Sequence, residues 1–176
     1  AWFFFMLGNI YTSTKLRDGH KAEYFFKKSK QYAPEGNEYS IQYGFGMAAQ
    51  DKGDYKKAEE HNLKAYAMDS SKMALSSYIS KMYLSTGEYD KALRFLQHAY
   101  QIDSMNNFSS LNLGYFYYNA EKYADAHKAT FYLERVLRTN PYDTLALEYF
   151  GTLCFESGKI DKAKELFTKL KTIAPK

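Results

Sequence analysis

Apolar residues recur at helical spacing in successive segments of the chain. In the last segment they follow one another at intervals of three, three, one, three and three residues, at Ile160, Ala163, Leu166, Phe167, Leu170 and Ile173. This spacing places them on one face of an α-helix. The segment from Thr144 to Glu156 predicts a preceding helix, and the letters SGK between the two segments predict a turn.

The same helical sequence pattern recurs along the chain. GDYKKAEEHNLKAYAMD begins at Gly53 and GEYDKALRFLQHAYQID begins at Gly87, 34 residues later, and seven letters agree at the same offsets. A fixed period of this length is typical of helical repeat proteins, in which each unit buries its apolar face against the next. The period predicts five helix–turn–helix units and ten helices in a single domain, residues 1–176. The units span roughly 1–38, 39–72, 73–106, 107–143 and 144–176.

The period also predicts how the two helices of a unit pack. Small residues recur in the middle of the first helices, and alanines recur early in the second helices, so we expect the two sets to meet. The small residues are Gly8, Gly46, Ser80, Gly114 and Gly151, and the alanines are Ala22, Ala58, Ala92 and Ala163. About three extra residues in the fourth unit are expected to lengthen its second helix by nearly one turn.

Several residues predict where helices begin and end. Asp143 and Ser71 are the expected N-caps of the helices that follow them. Pro34, Pro141 and Pro175 each follow a predicted second helix, where proline prevents the helix from continuing.

These motifs resemble the tetratricopeptide repeat. LGNIY (Leu7 to Tyr11), GDYKKA, GEYDKA and LRTNP (Leu137 to Pro141) follow its pattern of Leu-Gly-x-x-Tyr in the first helix, Gly-x-Tyr-x-x-Ala across the turn and Pro after the second helix. The resemblance implies an all-α fold, a right-handed superhelix or solenoid, whose first helices line a concave groove.

The resemblance also implies which side chains face that groove, namely the second, fifth, ninth and twelfth positions of each repeat. Many of these positions are aromatic or apolar, and exposed apolar patches usually mark contact sites. The alternative is that some of them pack against neighbouring repeats, or against a segment of the same chain that is missing from this sequence. The predicted groove residues are Phe5, Asn9, Tyr43, Met47, Gln50, Ser77, Lys81, Phe108, Leu111, Tyr115, Tyr118, Glu148 and Phe155.

Charge and local motifs indicate no catalytic chemistry. The net charge is +4, with two basic ends and a mildly acidic middle, and this distribution is too weak for a nucleic-acid interface. Cys154 is the single cysteine, so it forms no internal disulfide, and we expect it to be buried and inert. GFGMAA (Gly44 to Ala49) lies within a predicted helix, where a dinucleotide site is not expected. The four histidines form no zinc-protease motif, so neither a metal nor a cofactor is predicted.

The sequence therefore predicts a non-catalytic scaffold that binds a peptide segment or helix of another protein. One alternative is an architectural module that associates through the apolar first helix, which carries Trp2, Phe3 and Phe4. Another is the regulatory arm of a longer protein, since a chain that starts without Met is expected to be a fragment or a processed form. The apolar start, AWFFFMLGNIY, is too short to span a bilayer, so we expect no membrane insertion by this segment.

Overall fold

The computed structural model describes residues 1–13 and 15–173, and within these ranges it contains ten α-helices and no β-strand. The helices are α1 (Trp2–Ser13), α2 (Gly19–Tyr32), α3 (Glu38–Asp51), α4 (Tyr55–Met68), α5 (Met73–Ser85), α6 (Tyr89–Ile102), α7 (Asn107–Asn119), α8 (Ala126–Thr139), α9 (Thr144–Glu156) and α10 (Ile160–Ile173). The predicted all-α class and the number of helices are confirmed. The five-unit division and the single domain stay predictions.

The helices fall into two compact units, Ala1–Phe95 and Leu96–Lys176, whose boundary lies within α6. In the first unit α1 pairs with α2 and α3 pairs with α4, and α3 also lies against α2 and α1. In the second unit α7 pairs with α8 and α9 pairs with α10, and α9 also lies against α8 and α7. Each unit is therefore built from helix pairs in which the next first helix packs on the pair before it.

Glycine sets the turn within three of the pairs. Gly53, Gly87 and Gly158 have φ of 76°, 76° and 73°, a left-handed conformation that costs other residues energy. The residue after each glycine donates its N–H to a carbonyl of the last helical turn, as Lys159 N does to Cys154 O at 2.8 Å. This is the glycine-terminated helix end that the Gly-x-Tyr motif predicts.

The extra residues of the fourth unit lie in the turn between its two helices and do not lengthen its second helix. These residues form a short 3₁₀ turn, Glu121–Tyr123, between α7 and α8, and α8 has 14 residues, as do α2, α4 and α10. The prediction of a longer second helix was wrong. An insertion in the turn leaves the register of both packed helices unchanged, whereas an insertion in a helix would rotate its apolar face.

Of the two predicted N-caps, the structure confirms Asp143 and does not confirm Ser71. The Asp143 carboxylate accepts a hydrogen bond from Ala146 N at 3.0 Å, so this N-cap is confirmed. Ser71 is not a cap, because α5 begins after Lys72, which makes no capping hydrogen bond through its side chain. Ser71 instead donates its hydroxyl to Asp69 at 2.5 Å. Pro175 lies outside the described residues.

The atoms nearest to the glycines of the first helices belong to larger side chains than the predicted alanines. A Cβ atom added to Gly8 would lie 2.6 Å from the Phe26 ring, and one added to Gly114 would lie 2.8 Å from Leu133. The corresponding partner of Gly151 is Phe167, and that of Gly46 is Asn62. Each partner lies one helical turn beyond the early alanine, and its larger side chain fills the space left by the glycine.

Candidate functional site

An apolar cleft opens beside the amino-terminal half of α1 in the first unit. Its volume is about 340 Å³. The lining side chains come from the start of α1, the end of α2 and the start of α3, and include Trp2, Phe5, Met6, Ser29, Ser40 and Ile41. Because Trp2 and Met6 are exposed, the cleft is accessible from solvent.

Three tyrosines form a cluster on the first helices of the same unit. The Tyr43 ring lies between those of Tyr39 and Tyr78, at centroid distances of 6.3 and 5.6 Å. Burial raises the pKa of Tyr43 to about 12. The pKa of Tyr78 is also raised, first by burial and then by the negative charge of Asp51. Both phenols are therefore neutral at ordinary pH, and a neutral phenol is able both to donate and to accept a hydrogen bond.

Next to this cluster, several polar atoms are buried without hydrogen-bond partners among the described residues. They are Tyr78 Oη, Gln50 Oε1, Ser77 Oγ and one carboxylate oxygen of Asp51. The other Asp51 oxygen accepts from Arg17 Nε at 2.7 Å, and only 3% of the Asp51 side chain is exposed. Buried polar atoms in folded proteins are nearly always hydrogen-bonded. This corner of the first unit therefore has unused capacity, mostly for accepting hydrogen bonds.

The second unit contains its own tyrosine cluster. The Tyr149 ring on α9 lies 5.0 Å from that of Tyr115 and 6.2 Å from that of Tyr118, both on α7. Asn119 Nδ2 donates to the Tyr115 hydroxyl at 3.1 Å, and the Tyr118 hydroxyl donates to Glu156 at 3.3 Å. Unlike Tyr78, these two hydroxyl groups already have partners.

The predicted groove residues differ in their accessibility. Half-buried positions are Phe5, Asn9, Tyr43, Met47, Gln50, Leu111, Tyr115 and Tyr118. Exposed positions are Lys81, Phe108, Glu148 and Phe155. Ser77 is buried, with 6% of its surface accessible, and the Phe5 ring packs against the core residue Phe26 at 5.8 Å. Contacts through Tyr149 bring Tyr115 and Tyr118 together, whereas Tyr43 contacts tyrosines that were not predicted.

Sequence reasoning missed Tyr39, Tyr78 and Tyr149. Tyr78 and Tyr149 share one register, two residues before the small residues Ser80 and Gly151. They were missed because the groove positions were taken from the second, fifth, ninth and twelfth places, and these tyrosines occupy the sixth. The recurrence of tyrosine at this place in two repeats was the signal that could have identified them.

His61 and Cys154, which could in principle support metal or thiol chemistry, are partly or fully buried among other side chains. His61 Nδ1 lies 2.7 Å from Gln42 Oε1, and burial lowers the pKa of this histidine. Cys154 is buried as expected, and burial raises the pKa of its thiol. Within the described ranges, no three His, Cys, Asp or Glu side chains are grouped so that they could hold a metal ion. No helix in this part of the chain is both long and apolar enough to cross a membrane.

Comparison with known proteins finds one matching sequence repeat and several similar folds. The sequence model of the tetratricopeptide repeat matches residues 79–104, and no curated protein matches the chain significantly. The fold is similar to that of PilF from Pseudomonas aeruginosa, with a TM-score of 0.82 and 19% identity, over 98% of this chain and 76% of PilF. It is also similar to MamA, with a TM-score of 0.74 and 20% identity, over 93% of this chain and 92% of MamA.

A third similar structure is YrrB, with a TM-score of 0.71 and 19% identity, over 98% of this chain and 85% of YrrB. Identities at this level show a shared fold. The chain therefore shares the fold of these structures, and its residues 79–104 match the sequence model of the tetratricopeptide repeat.

Proposed function

We propose that this chain is a non-catalytic scaffold that binds a peptide segment or a helix of a partner protein along its first helices. The observation that carries the proposal is the cleft of the first unit, which shares α3 with the tyrosine cluster through Ser40, Ile41, Tyr39 and Tyr43. A mostly apolar, largely pre-formed cleft is the usual form of a ligand-binding site.

The cleft suits one apolar or aromatic side chain of the partner. Its walls at Trp2, Phe5 and Met6 are apolar, and burial of a Leu or Phe side chain contributes about 1.5–3 kcal/mol. Trp and Met at the rim also suit recognition of differently shaped side chains, because one is large and rigid and the other adapts its conformation.

The buried oxygen atoms near the tyrosine cluster favour a partner that carries hydrogen-bond donors. Tyr78 Oη and Gln50 Oε1 are buried and lack partners among the described residues, so a partner that supplies N–H donors would be favoured only if its binding moved the side chains that cover these atoms. Backbone amides of an extended segment, or a Lys or Arg side chain, provide such donors. In this proposal Asn9 and Lys81 add polar anchoring, and Glu148 selects a basic group.

The coordinates of YrrB are described as those of a tetratricopeptide repeat protein with an unusual peptide-binding site. That description applies to YrrB, and it supports a peptide as the class of ligand to test first for this chain.

The test is selection of a displayed random-peptide library on the immobilised chain, followed by calorimetry with the selected synthetic peptides. The Ser40→Tyr variant fills the cleft while leaving the outer face of α1 unchanged, and we expect it to weaken binding at least about tenfold. Ala67→Tyr is the matched control, because it adds the same side chain at an exposed position of α4.

Two results would overturn the proposal. One is the absence of any peptide that the chain enriches over a blank surface. The other is equal affinity of the selected peptides for both variants and for a Tyr115→Ala/Tyr118→Ala double variant, because binding would then use neither the cleft of the first unit nor the tyrosine cluster of the second.

A further inference from the structure

Three half-buried tyrosines of the second unit lie on helices that carry no positive charge. Tyr115 and Tyr118 on α7 and Tyr149 on α9 form the tyrosine cluster of this unit, and part of each side chain is accessible. Helix α7 contains no charged residue, and the charged residues of α9 are Glu148 and Glu156. Among the helices α7 to α10, every Lys and Arg lies on α8 or α10. The first helices of this unit therefore carry aromatic and acidic side chains together.

Both carboxylates of α9 lie close to these rings. The Tyr118 hydroxyl donates to Glu156 at 3.3 Å, and the pKa of Tyr149 is raised, first by burial and also by the charge of Glu148. Glu148 and Glu156 are exposed, and neither forms an ion pair with another described residue. By contrast, Glu165 on α10 pairs with two lysines. The negative charge beside the rings is therefore not compensated by the described part of the chain.

Other tyrosines of the chain have a cation over the ring. Within the described residues, six tyrosine rings have a Lys or Arg at 4.9 to 5.9 Å from the ring centroid, and one of these pairs is Lys128 over Tyr117 in the second unit. Such cations are attracted to the negative face of the ring. No described Lys or Arg lies over the tyrosine cluster of the second unit in this way. The cluster therefore offers ring faces and carboxylates to a cation that the described chain does not supply.

We propose that the tyrosine cluster of the second unit binds an arginine side chain of a partner peptide, with the guanidinium against the tyrosine rings and paired with Glu148 or Glu156. This inference rests on the proposed function, since it names the residue type that the second unit recognises in the bound peptide. Charge complementarity selects a basic occupant, because both carboxylates would repel an acidic side chain and an apolar one would gain nothing from them.

Arginine suits this surface better than lysine does. Its planar guanidinium stacks on an aromatic ring and at the same time donates hydrogen bonds in its own plane, and it is more weakly hydrated than an ammonium group. Arg135 shows both contacts within the same unit, because its guanidinium lies over Tyr100 and its Nε donates to the Ser104 carbonyl at 3.0 Å. We therefore expect a peptide that contains arginine to bind more tightly than the same peptide with lysine.

NMR titration of the isotope-labelled chain with the blocked peptide Gly-Ser-Arg-Ser-Gly tests the proposal. The matched probe has citrulline in place of arginine, because citrulline has nearly the same shape without the charge. We expect the arginine peptide to shift the signals of Tyr115, Tyr118 and Tyr149 and to bind at least about fivefold more tightly than the citrulline peptide. An increase in salt from about 0.05 M to about 0.5 M should weaken its binding, because the carboxylates are exposed.

Two double variants separate the local carboxylates from the overall charge of the chain. Glu148→Gln/Glu156→Gln keeps the rings and removes both charges, and it should weaken binding of the arginine peptide at least about fivefold. Glu134→Gln/Glu165→Gln is the matched control, because it makes the same change in net charge at exposed positions of α8 and α10. We expect a change of less than about twofold from it. Circular dichroism checks that both variants are folded.

Three outcomes would overturn this inference. One is equal affinity for the arginine and citrulline peptides, or no shift of the cluster's signals by either at up to about 10 mM. Another is equal weakening by the two double variants, because general attraction would then explain the binding. The third is a library selection that enriches only peptides without arginine, which Ser40→Tyr weakens. That last result would leave the proposed function intact, whereas a selection that enriches no peptide overturns the proposed function.

Discussion

The Asn62 side chain lies against Gly46, in the space that a Cβ atom at residue 46 would occupy. Asn62 is fully buried, its Oδ1 has no partner among the described residues, and its Nδ2 has Met82 Sδ at 3.9 Å. In the other repeats the same place is held by Phe26, Leu96, Leu133 and Phe167. A polar side chain thus occupies an apolar position of the core.

Asn62→Leu should stabilise the chain by about 1 kcal/mol, because it removes a buried polar group that lacks a full set of hydrogen bonds. Leu already fits beside a small residue at Leu133 and Gly114. Urea unfolding followed by circular dichroism measures the change. The reverse substitution, Leu133→Asn, should destabilise by about 3 kcal/mol. If Asn62→Leu lowered the stability, the amide would have to contribute a specific interaction.

Gly158→Ala should destabilise the chain by about 1–2 kcal/mol, because alanine is strained at a φ of 73°. No atom lies within 4 Å of the added Cβ, so backbone strain is the only cost. Gly158→Asn is the control and should lose less stability, since Asn tolerates this conformation better. Chemical denaturation of the three proteins tests this order, and equal loss in both variants would contradict the role assigned to backbone strain.

The stability of the first unit should depend on pH through Glu23. Hydrogen bonds from Lys27, at 2.7 Å, and from Lys52 lower the pKa of Glu23 from 4.5 to about 2. Since the folded-state pKa is depressed, the stabilisation is complete above pH 4.5 and is lost as the pH falls towards 2.

Glu23→Gln should therefore destabilise the chain by about 1 kcal/mol at pH 7, with a difference from the unmodified protein that narrows below pH 4.5. Thermal unfolding at a series of pH values measures this difference. The control is Glu165→Gln, whose pairs with Lys162 and Lys169 lie on the exposed surface of α10, and we expect little change from it. A Glu23→Gln effect that is the same at pH 7 and pH 2.5 would exclude the charge as its origin.

Tyr78→Phe should have opposite effects on stability and on binding. Removal of a buried hydroxyl that has no partner among the described residues should stabilise the free chain by about 0.5–1 kcal/mol. If a partner supplies the missing donor, the same change should weaken binding of a selected peptide by about fivefold or more. Thermal unfolding and calorimetry provide the two readouts.

Tyr149→Phe is the matched control for Tyr78→Phe, because it has the same register in the second unit and its hydroxyl is not among the buried atoms without partners. We expect no gain in stability from it. A Tyr78→Phe variant that is stabilised and binds with unchanged affinity would remove Tyr78 from the proposed site.

Those features that depend on a few neighbouring residues could be predicted from the sequence. Apolar spacing predicted the helices, Gly53 and Gly158 with their following residues predicted the turns, and the aspartate before α9 predicted its cap. Such features are local, because a helix face, a positive φ or an N-cap is set within one or two turns of chain. The candidate site could be predicted only in part, since Tyr43, Tyr115 and Tyr118 were identified and their tyrosine partners were not.

Features that depend on how helices cross were decided by the tertiary structure. The nearest neighbour of Gly8 is Phe26, one turn beyond the expected Ala22, because the crossing geometry of the two helices decides which residues come closest. The extra residues of the fourth unit lie in a turn because two packed helices must keep their register. Tyr78 and Tyr149 reach their neighbours because large rings extend beyond the face that a four-position rule assigns. The repeat period fixes which residues are equivalent, and three-dimensional packing fixes what each of them contacts.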